Sequence, residues 1–238
     1  MIHIGCCGFG RARGTYFRQL PLVEVQQTFY KPPRVETAAR WRAEAPPDFE
    51  FTLKAWQFIT HKATSPTYRK AQLALAHPAT DYGAFQPTDA VSEAWAHTRE
   101  IAIALNATTV VFQCPASFTP TEEHVANLRG FFRLVERGRL RLAWEPRGAW
   151  SDELIRSLCA ELDLIHVVDP FQRQPMTSGL AYFRLHGRTG WRSRYTDEDL
   201  AQLLHWCQDH DEAYCLFNNI SMFKDALRMY TLVGSVHE

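Results

Sequence analysis

The sequence lacks an excess of charge of either sign, because 26 lysines and arginines balance 26 aspartates and glutamates. The chain as a whole therefore sets up no electrostatic field that would attract nucleic acid or an anionic membrane, although zero net charge does not exclude a local basic patch. No apolar run approaches the roughly 20 residues that span a bilayer, and the chain opens on a strand-like segment without a basic secretory n-region. We expect a cytoplasmic protein that has no membrane partner.

Several chemical signatures are missing as well. The six cysteines are too sparse for a disulfide scaffold, and no two of them form Cys-x-x-Cys, which favours reduced, buried thiols. The glycine fingerprints of phosphate loops and dinucleotide sites are absent, as are His-x-His and His-Glu-x-x-His, the spacings typical of zinc sites. We therefore predict no cofactor and leave a divalent metal open.

What the sequence does contain is a repeated pattern of strands and helices. Eight short apolar runs recur along the 238 residues, and most of them end in a charged or amide side chain. Helix-like stretches separate most runs, so the pattern predicts one domain over residues 1–238, a TIM-like (β/α)8 barrel whose strand ends converge on one site. The runs occupy residues 2–5, 23–28, 49–54, 109–113, 140–147, 164–169, 181–186 and 214–219.

The helical stretches are uneven along the chain. Helical spacing and capping residues predict helices over residues 35–45, 90–105, 121–135, 151–162, 196–209 and 221–233. After strands one and six, the helix is predicted to be irregular or missing. The stretch at about 59–87 contains three prolines and a glycine and is predicted to be a long loop excursion over the barrel mouth. The oligomeric state stays open.

Strand alternation predicts which polar side chains face the barrel interior. Successive side chains point to opposite faces of a strand, and the face covered by helices has to be apolar. In the fifth run, for example, Glu145 and Arg147 share the face opposite Trp144. By the same argument, nine polar side chains are predicted to point into the barrel: Glu24, Gln26, Thr52, Lys54, Gln113, Glu145, Arg147, Arg184 and His186.

A polar barrel interior at the strand ends indicates chemistry, because barrel enzymes carry their sites there and unpaired buried charge is costly. We predict an enzyme that acts on an anionic ligand bearing phosphate or carboxylate. Glu145 and His186 are the acid/base candidates, and Lys54 is a catalytic cation or Schiff-base lysine. The ligand-binding candidates offer guanidinium, amide and carboxylate groups; they are Glu24, Gln26, Gln113, Arg147, Asp169, Arg184, Asn218 and Asn219.

Three alternatives stay open at this point. The first is a metal-dependent phosphodiesterase acting on nucleic acid, in which Glu145, Asp169 and His186 hold the ion and basic loops flank it. The net charge of zero does not support a nucleic-acid partner. The second is a non-catalytic barrel that binds a small anionic ligand. The third is an internal ion network with a purely structural role.

Seven motifs along the chain carry a family resemblance. They lie at residues 4–9 (IGCCGF), 23–30 (VEVQQTFY), 51–54 with 58–61 (FTLK, FITH), 111–118 (VFQCPASF), 143–147 (AWEPR), 182–187 (YFRLHG) and 217–219 (FNN). In this order they resemble the family known as domain of unknown function 72, the YecE-like proteins. The resemblance covers almost the whole chain and implies a TIM-like barrel, but no established reaction. The likeness to endonuclease IV-type barrels that has been suggested for the family is an analogy of fold.

Overall fold

The computed structural model describes residues 1–72 and 74–236, and within them eight parallel strands close into a barrel. The strands follow one another around the ring in chain order, and β8 pairs with β1 to close it. The predicted TIM-like (β/α)8 barrel is confirmed. The strands are β1 (Ile2–Cys7), β2 (Leu22–Val25), β3 (Glu50–Lys54), β4 (Thr109–Gln113), β5 (Arg141–Glu145), β6 (Ile165–Val168), β7 (Leu180–Leu185) and β8 (Glu212–Phe217).

Helices alternate with most of the strands. After β1 the chain forms only the four-residue α1, and in the described chain no helix joins β6 to β7 across residues 169–179, as the sequence predicts for both places. The helices are α1 (Arg13–Tyr16), α2 (Gln27–Tyr30), α3 (Val35–Glu44), α4 (Gln57–Thr60), α5 (Pro66–Ala71), α6 (Asp89–Leu105), α7 (Glu122–Leu134), α8 (Asp152–Leu162), α9 (Asp197–Gln208) and α10 (Met222–Val236).

Side-chain caps fix where four of the long helices begin. Thr88, Thr121, Ser151 and Thr196 each accept a hydrogen bond from the backbone N–H three residues further on. These bonds satisfy a donor that has no partner within the helix. At α9 the side chain of Asp199 also accepts from the N–H of Thr196, which completes a capping box. The caps therefore define the ends of the loops that lead from the barrel mouth into these helices.

The barrel has an outer and an inner layer of side chains. The outward residues of the strands pack with the helices into one large apolar cluster. A smaller, separate cluster contains inward residues, among them Val111, Ala143 and Tyr182. Above it lies a polar layer in which side chains of non-adjacent strands meet: Glu24 of β2 contacts Arg184 of β7. Strand alternation thus turned the polar residues inward as predicted.

Three predicted inward residues lie beyond the strands. Strands β2, β5 and β7 end before Gln26, Arg147 and His186, so alternation does not govern these side chains. Gln26 adopts a helical backbone conformation, with φ −89° and ψ −25°. The prediction that they continue their strands was wrong, because apolar runs do not show where the ladder of hydrogen bonds stops.

The predicted excursion at 59–87 contains more regular structure than a loop. It includes the end of α4, all of α5 and a 3-10 turn at Ala79–Asp81. The chain then folds back on its own start: Gly83, at φ +84°, packs so closely that a Cβ there would lie 2.2 Å from the carbonyl carbon of His61. Among the described residues, no helix is long and apolar enough to cross a membrane.

Candidate functional site

Arg184 forms the centre of the polar layer inside the barrel. Its side chain is only 1% exposed, and its Nε lies 3.1 and 3.2 Å from the two carboxylate oxygens of Glu24. The other side of the guanidinium donates to the carboxylate of Glu145. Tyr182 donates to Glu24 at 2.9 Å, and the amide of Gln26 donates to the same carboxylate. The three buried charges of Arg184, Glu24 and Glu145 therefore have partners of the opposite sign, which burial requires.

A chain of contacts leads from this buried layer to the surface. Arg147 Nε donates to Glu145 at 2.9 Å, and its terminal nitrogen lies 3.0 Å from Nε2 of His186. Since a guanidinium only donates, Nε2 of His186 accepts, and Nδ1 of the neutral ring carries the proton. Nδ1 lies 3.8 Å from Asp169, whose carboxylate also accepts from the backbone N–H of His186 at 3.1 Å. Asp169 thereby holds the backbone of His186, with its carboxylate close to the imidazole.

Lys54 lies at the end of β3 and is almost fully buried. Its Nζ donates to Oε1 of Gln113 at 2.8 Å and lies 3.5 Å from the centre of the Phe29 ring. Burial, followed by the positive charge of Arg184, lowers the pKa of Lys54 to about 7. The amine is therefore close to half-protonated at neutral pH, which suits a group that exchanges protons.

Two further pKa values are lowered at the same place. Burial alone would raise the pKa of Glu145, but the charges of Arg184 and Arg147 outweigh it and lower that pKa to about 2. Burial, with the charges of Lys54 and Arg147, lowers the pKa of His61 to about 3. Glu145 is thus a permanent carboxylate and His61 a neutral imidazole at pH 7. Burial is the largest cause for Lys54 and His61, and neighbouring cations add to it; for Glu145 the cations alone cause the lowering.

A cavity of about 560 Å³ opens above Glu145, at the C-terminal ends of β5, β6 and β7. Its size is within the usual range for small-molecule sites. The side chain of Arg147 is 40% exposed there, so one guanidinium of the network is presented to solvent. The polar residues that line the cavity are Glu145, Arg147, His166, Asp169, Gln172, Arg173 and His186.

The structure gathers most of the residues that the sequence singled out. Seven of them form one connected series of contacts: Gln26, Glu24, Arg184, Glu145, Arg147, His186 and Asp169. Lys54 and Gln113 form a bonded pair beside it, since Gln113 is the register partner of Glu145 on β5.

The two asparagines after β8 are placed differently. Asn219 is buried, and its amide donates to the Ser193 carbonyl at 2.9 Å and to the Asp225 carboxylate at 2.8 Å. It therefore ties the β7–α9 loop to α10. Asn218 is half-buried, and neither residue lines the cavity over the described part of the chain.

Sequence reasoning missed several residues of the site. Tyr182 shares the inward face of β7 with Arg184, so strand alternation was a signal that could have identified it. Phe29 and His61 lie after strands β2 and β3, and their rings meet at 4.9 Å beside Lys54, a tertiary contact that strand alternation does not show. Cys7 also faces this layer, and burial together with Glu24 raises the pKa of its thiol. It is therefore protonated and unreactive.

The predicted alternative of a metal held by Glu145, Asp169 and His186 meets an obstacle in this arrangement. The guanidinium of Arg147 bonds to Glu145 and to the ring nitrogen of His186, so a cation already lies where a metal would bridge them. Within residues 1–72 and 74–236, no group of three His, Cys, Asp or Glu is arranged to hold an ion. The donor set does not fit a divalent metal unless Arg147 moves.

Solved structures of other proteins share this barrel fold. The fold is similar to that of a DUF72 family protein (EF0366) from Enterococcus faecalis V583, with 24% identity, a TM-score of 0.74 and 98% of each chain covered. It is also similar to a DUF72 family protein (TM1631) from Thermotoga maritima MSB8, with 18% identity, a TM-score of 0.70 and coverage of 98% of this chain and 99% of that one. At these identities the likeness shows the fold alone.

More distant barrels share the fold as well. SacUVDE matches with 5% identity and a TM-score of 0.59, covering 93% of this chain and 82% of that one. No curated protein matches the chain. The family model described as "Protein of unknown function DUF72" matches residues 11–237, nearly the entire sequence. The chain therefore belongs to the DUF72 family, as its motifs indicated.

Proposed function

We propose that this protein is an enzyme that acts on a small anionic substrate, bearing a carboxylate or phosphate, in the cavity above Glu145. The observation that carries the proposal is that two guanidinium groups, those of Arg147 and Arg173, line the cavity. The charges of Arg184 and Arg147 also lower the pKa of Glu145 against the effect of its burial. Positive charge of this kind beside a cavity favours an anionic ligand.

Arg147 is the group that would bind the anion. Its guanidinium is held from behind by Glu145 and keeps 40% of its side chain exposed to the cavity. A planar guanidinium matches the geometry of a carboxylate or phosphate and can donate two hydrogen bonds to it. Arg173 lines the same cavity and is held by Asp152, so a second guanidinium is available to the substrate.

Lys54 and His186 are the groups that would move protons. The pKa of Lys54 lies at about 7, where a catalytic group is most effective at neutral pH. His186 lines the cavity, with Nδ1 3.8 Å from the carboxylate of Asp169. Glu145 was expected to share this work, but a carboxylate whose pKa is about 2 is a weak base. We assign it instead to holding Arg147 and Arg184 in place.

Titration of the protein with inorganic phosphate tests the binding step. Isothermal calorimetry should show saturable binding, and Arg147→Ala should weaken it about tenfold or more, the usual effect of losing a charge-assisted pair. Arg139→Ala, an exposed arginine at the opposite end of the barrel, is the matched control and should change nothing. Equal binding by wild type and Arg147→Ala would overturn the assignment of the anion site.

A screen of phosphorylated and carboxylated metabolites tests the catalytic step. Turnover should be lost in Lys54→Met, while binding of the same compound changes less, because Lys54 is not among the residues that line the cavity. Binding without turnover of any compound in the screen would favour the non-catalytic barrel over the enzyme.

A further inference from the structure

His166 is a buried histidine of β6 that the proposed function leaves without a role. Its neighbour Val167 belongs to the inner apolar cluster, so strand alternation points the His166 side chain outward. Outside β6 runs the segment 169–179, which takes the place of a helix. His166 is only 1% exposed and lines the cavity above Glu145. Its imidazole therefore lies between a backbone segment and the candidate ligand site.

The segment after β6 is fastened to His166 on one side of the ring. The backbone N–H of Met176 donates to Nδ1 of His166 at 3.0 Å, and the backbone N–H of His166 donates to the Thr177 hydroxyl at 3.2 Å. Because a nitrogen that accepts carries no proton, the neutral ring is protonated on Nε2. Burial, followed by the positive charge of Arg173, lowers the pKa of His166 to about 4, so the ring is neutral at pH 7.

The Nε2–H of His166 is a donor without a partner. It forms no hydrogen bond within residues 1–72 and 74–236, yet it is not one of the polar atoms there that are both unpaired and sealed from solvent. Nearly every buried polar group in a protein is hydrogen-bonded. Since Nδ1 is taken by Met176, Nε2 is the atom through which His166 can meet an acceptor in the cavity that it lines.

A tight turn brings a second donor close to His166. The carbonyl of Asp169 accepts from the N–H of Arg173 at 3.0 Å, and the Asp169 carboxylate accepts from the N–H of Phe171 at 3.1 Å. The Nε of Arg173 then donates to Asp152 at 2.9 Å. A guanidinium carries several N–H donors, so this bond leaves others for the cavity that Arg173 also lines.

The two arginines of the cavity are anchored independently of each other. Arg147 donates to Glu145 on β5, whereas Arg173 donates to Asp152 at the start of α8. They share no carboxylate, so each guanidinium can bind an anion while the other keeps its place. A ligand with a single oxyanion group on Arg147 would leave Arg173 and the Nε2–H of His166 without an acceptor.

We propose that His166 and Arg173 form a second polar subsite in the cavity, which binds one oxyanion group of the ligand while Arg147 binds another. The inference rests on the proposed function, because it concerns a further part of the same ligand. It restricts the substrate to small molecules with two oxygen-rich groups, such as two phosphates or a phosphate and a carboxylate. An N–H donor beside a guanidinium matches anionic oxygen, since charge-assisted hydrogen bonds are the stronger ones.

Isothermal calorimetry with inorganic pyrophosphate and with orthophosphate tests the subsite through two variants of His166. His166→Asn places an amide oxygen near the position of Nδ1, where it can accept from Met176, but it has no donor in place of Nε2. His166→Gln places its amide nitrogen near Nε2 and loses the acceptor. His166→Asn should weaken pyrophosphate binding about tenfold or more, and orthophosphate binding should change less because Arg147 binds it.

His166→Gln should show the opposite pattern. It should retain most of the pyrophosphate binding but unfold at lower urea concentration than wild type, because Met176 loses its acceptor. His166→Asn should unfold as wild type does. The matched control is His205→Asn, which changes an exposed histidine of α9 and should alter neither binding nor stability.

Three outcomes would overturn the subsite. In the first, His166→Asn binds pyrophosphate as wild type does, which would assign the Nε2–H to a water molecule. In the second, both variants lose binding and stability together, which would make His166 only a support for the segment after β6. In the third, wild type binds orthophosphate but not pyrophosphate. Orthophosphate binding that Arg147→Ala leaves unchanged would count against the proposed function instead, so the two proposals can fail separately.

Discussion

Lys54 Nζ donates to Oε1 of Gln113 at 2.8 Å while it lies 3.5 Å from the centre of the Phe29 ring. The amide and the ring replace water around the amine, but neither carries a negative charge. The ammonium form is therefore less favoured than in solution, and the nearby charge of Arg184 disfavours it further.

The first prediction is that Lys54 titrates in the neutral range. NMR of protein labelled with ¹³C at lysine Cε should show one resonance with a midpoint near pH 7, since burial and Arg184 lower the pKa of this amine to about 7. Lys54→Met should remove that resonance and leave those of the surface lysines. A spectrum in which every lysine titrates near pH 10 would contradict the buried placement of Lys54.

The second prediction concerns the negative charge of Glu145, which opposes the lowering of the Lys54 pKa. Glu145 raises the pKa of Lys54, whereas Arg184 and Arg147 lower it. Glu145→Gln keeps the shape and removes the charge, so the midpoint of Lys54 should fall further below 7 in the same NMR titration. A midpoint that rises in Glu145→Gln would show that the two groups do not share one electrostatic environment.

The third prediction is that Arg184 is essential for stability. Arg184→Met would leave the buried carboxylates of Glu24 and Glu145 without their common partner. Breaking a buried ion network in this way costs about 3–5 kcal/mol, which urea denaturation at pH 7 would measure. Adding Glu24→Gln and Glu145→Gln to the same variant should recover much of the loss. If the triple variant is no more stable than Arg184→Met, unpaired charge is not the cause.

Much of this architecture could be predicted from the sequence. β4 has the predicted bounds, and alternation placed Glu24 and Arg184 inside the barrel because side-chain direction along a strand is fixed by backbone geometry. The hydroxyl residues before the helices, with the acidic residues that follow them, predicted where these helices start, as Thr196 illustrates. These features depend on local chemistry and on a period of two, both of which are visible in sequence.

Features that depend on the path of the chain could not be predicted. His61 follows the short helix α4, and its ring meets that of Phe29 at 4.9 Å through tertiary packing that no local pattern shows. Asn219 resembled a ligand-binding amide by position, but its bonds to Ser193 and Asp225 are tertiary contacts.

The fourth prediction is a pH dependence of stability caused by His61. Burial, with Lys54 and Arg147, lowers its pKa to about 3 in the folded protein, whereas an unfolded histidine has a pKa of about 6.5. Below pH 6.5 the unfolded chain binds the proton that the folded chain excludes, so stability falls as pH falls. The loss reaches up to about 1.4 kcal/mol per pH unit.

His61→Asn tests this dependence, because asparagine does not titrate and can still bond to Thr60, which lies 2.7 Å from the His61 ring. Urea denaturation at pH 7 and pH 4.5 should show a smaller difference in stability for the variant than for wild type. The same loss in both proteins would assign the acid sensitivity to other groups.

The fifth prediction concerns metal. Arg147 lies between Glu145 and His186 and bonds to both, so a divalent ion would have to displace a guanidinium and overcome the positive potential of the site. Elemental mass spectrometry on untagged protein purified without chelator should therefore find no zinc, manganese or iron at stoichiometric level. Arg147→Ala removes the competing cation. Measuring the metal content of this variant and of the wild-type protein after incubation with zinc compares the two directly. About one equivalent of metal in wild type would make Glu145, Asp169 and His186 ligands, and Arg147 would then have to lie elsewhere.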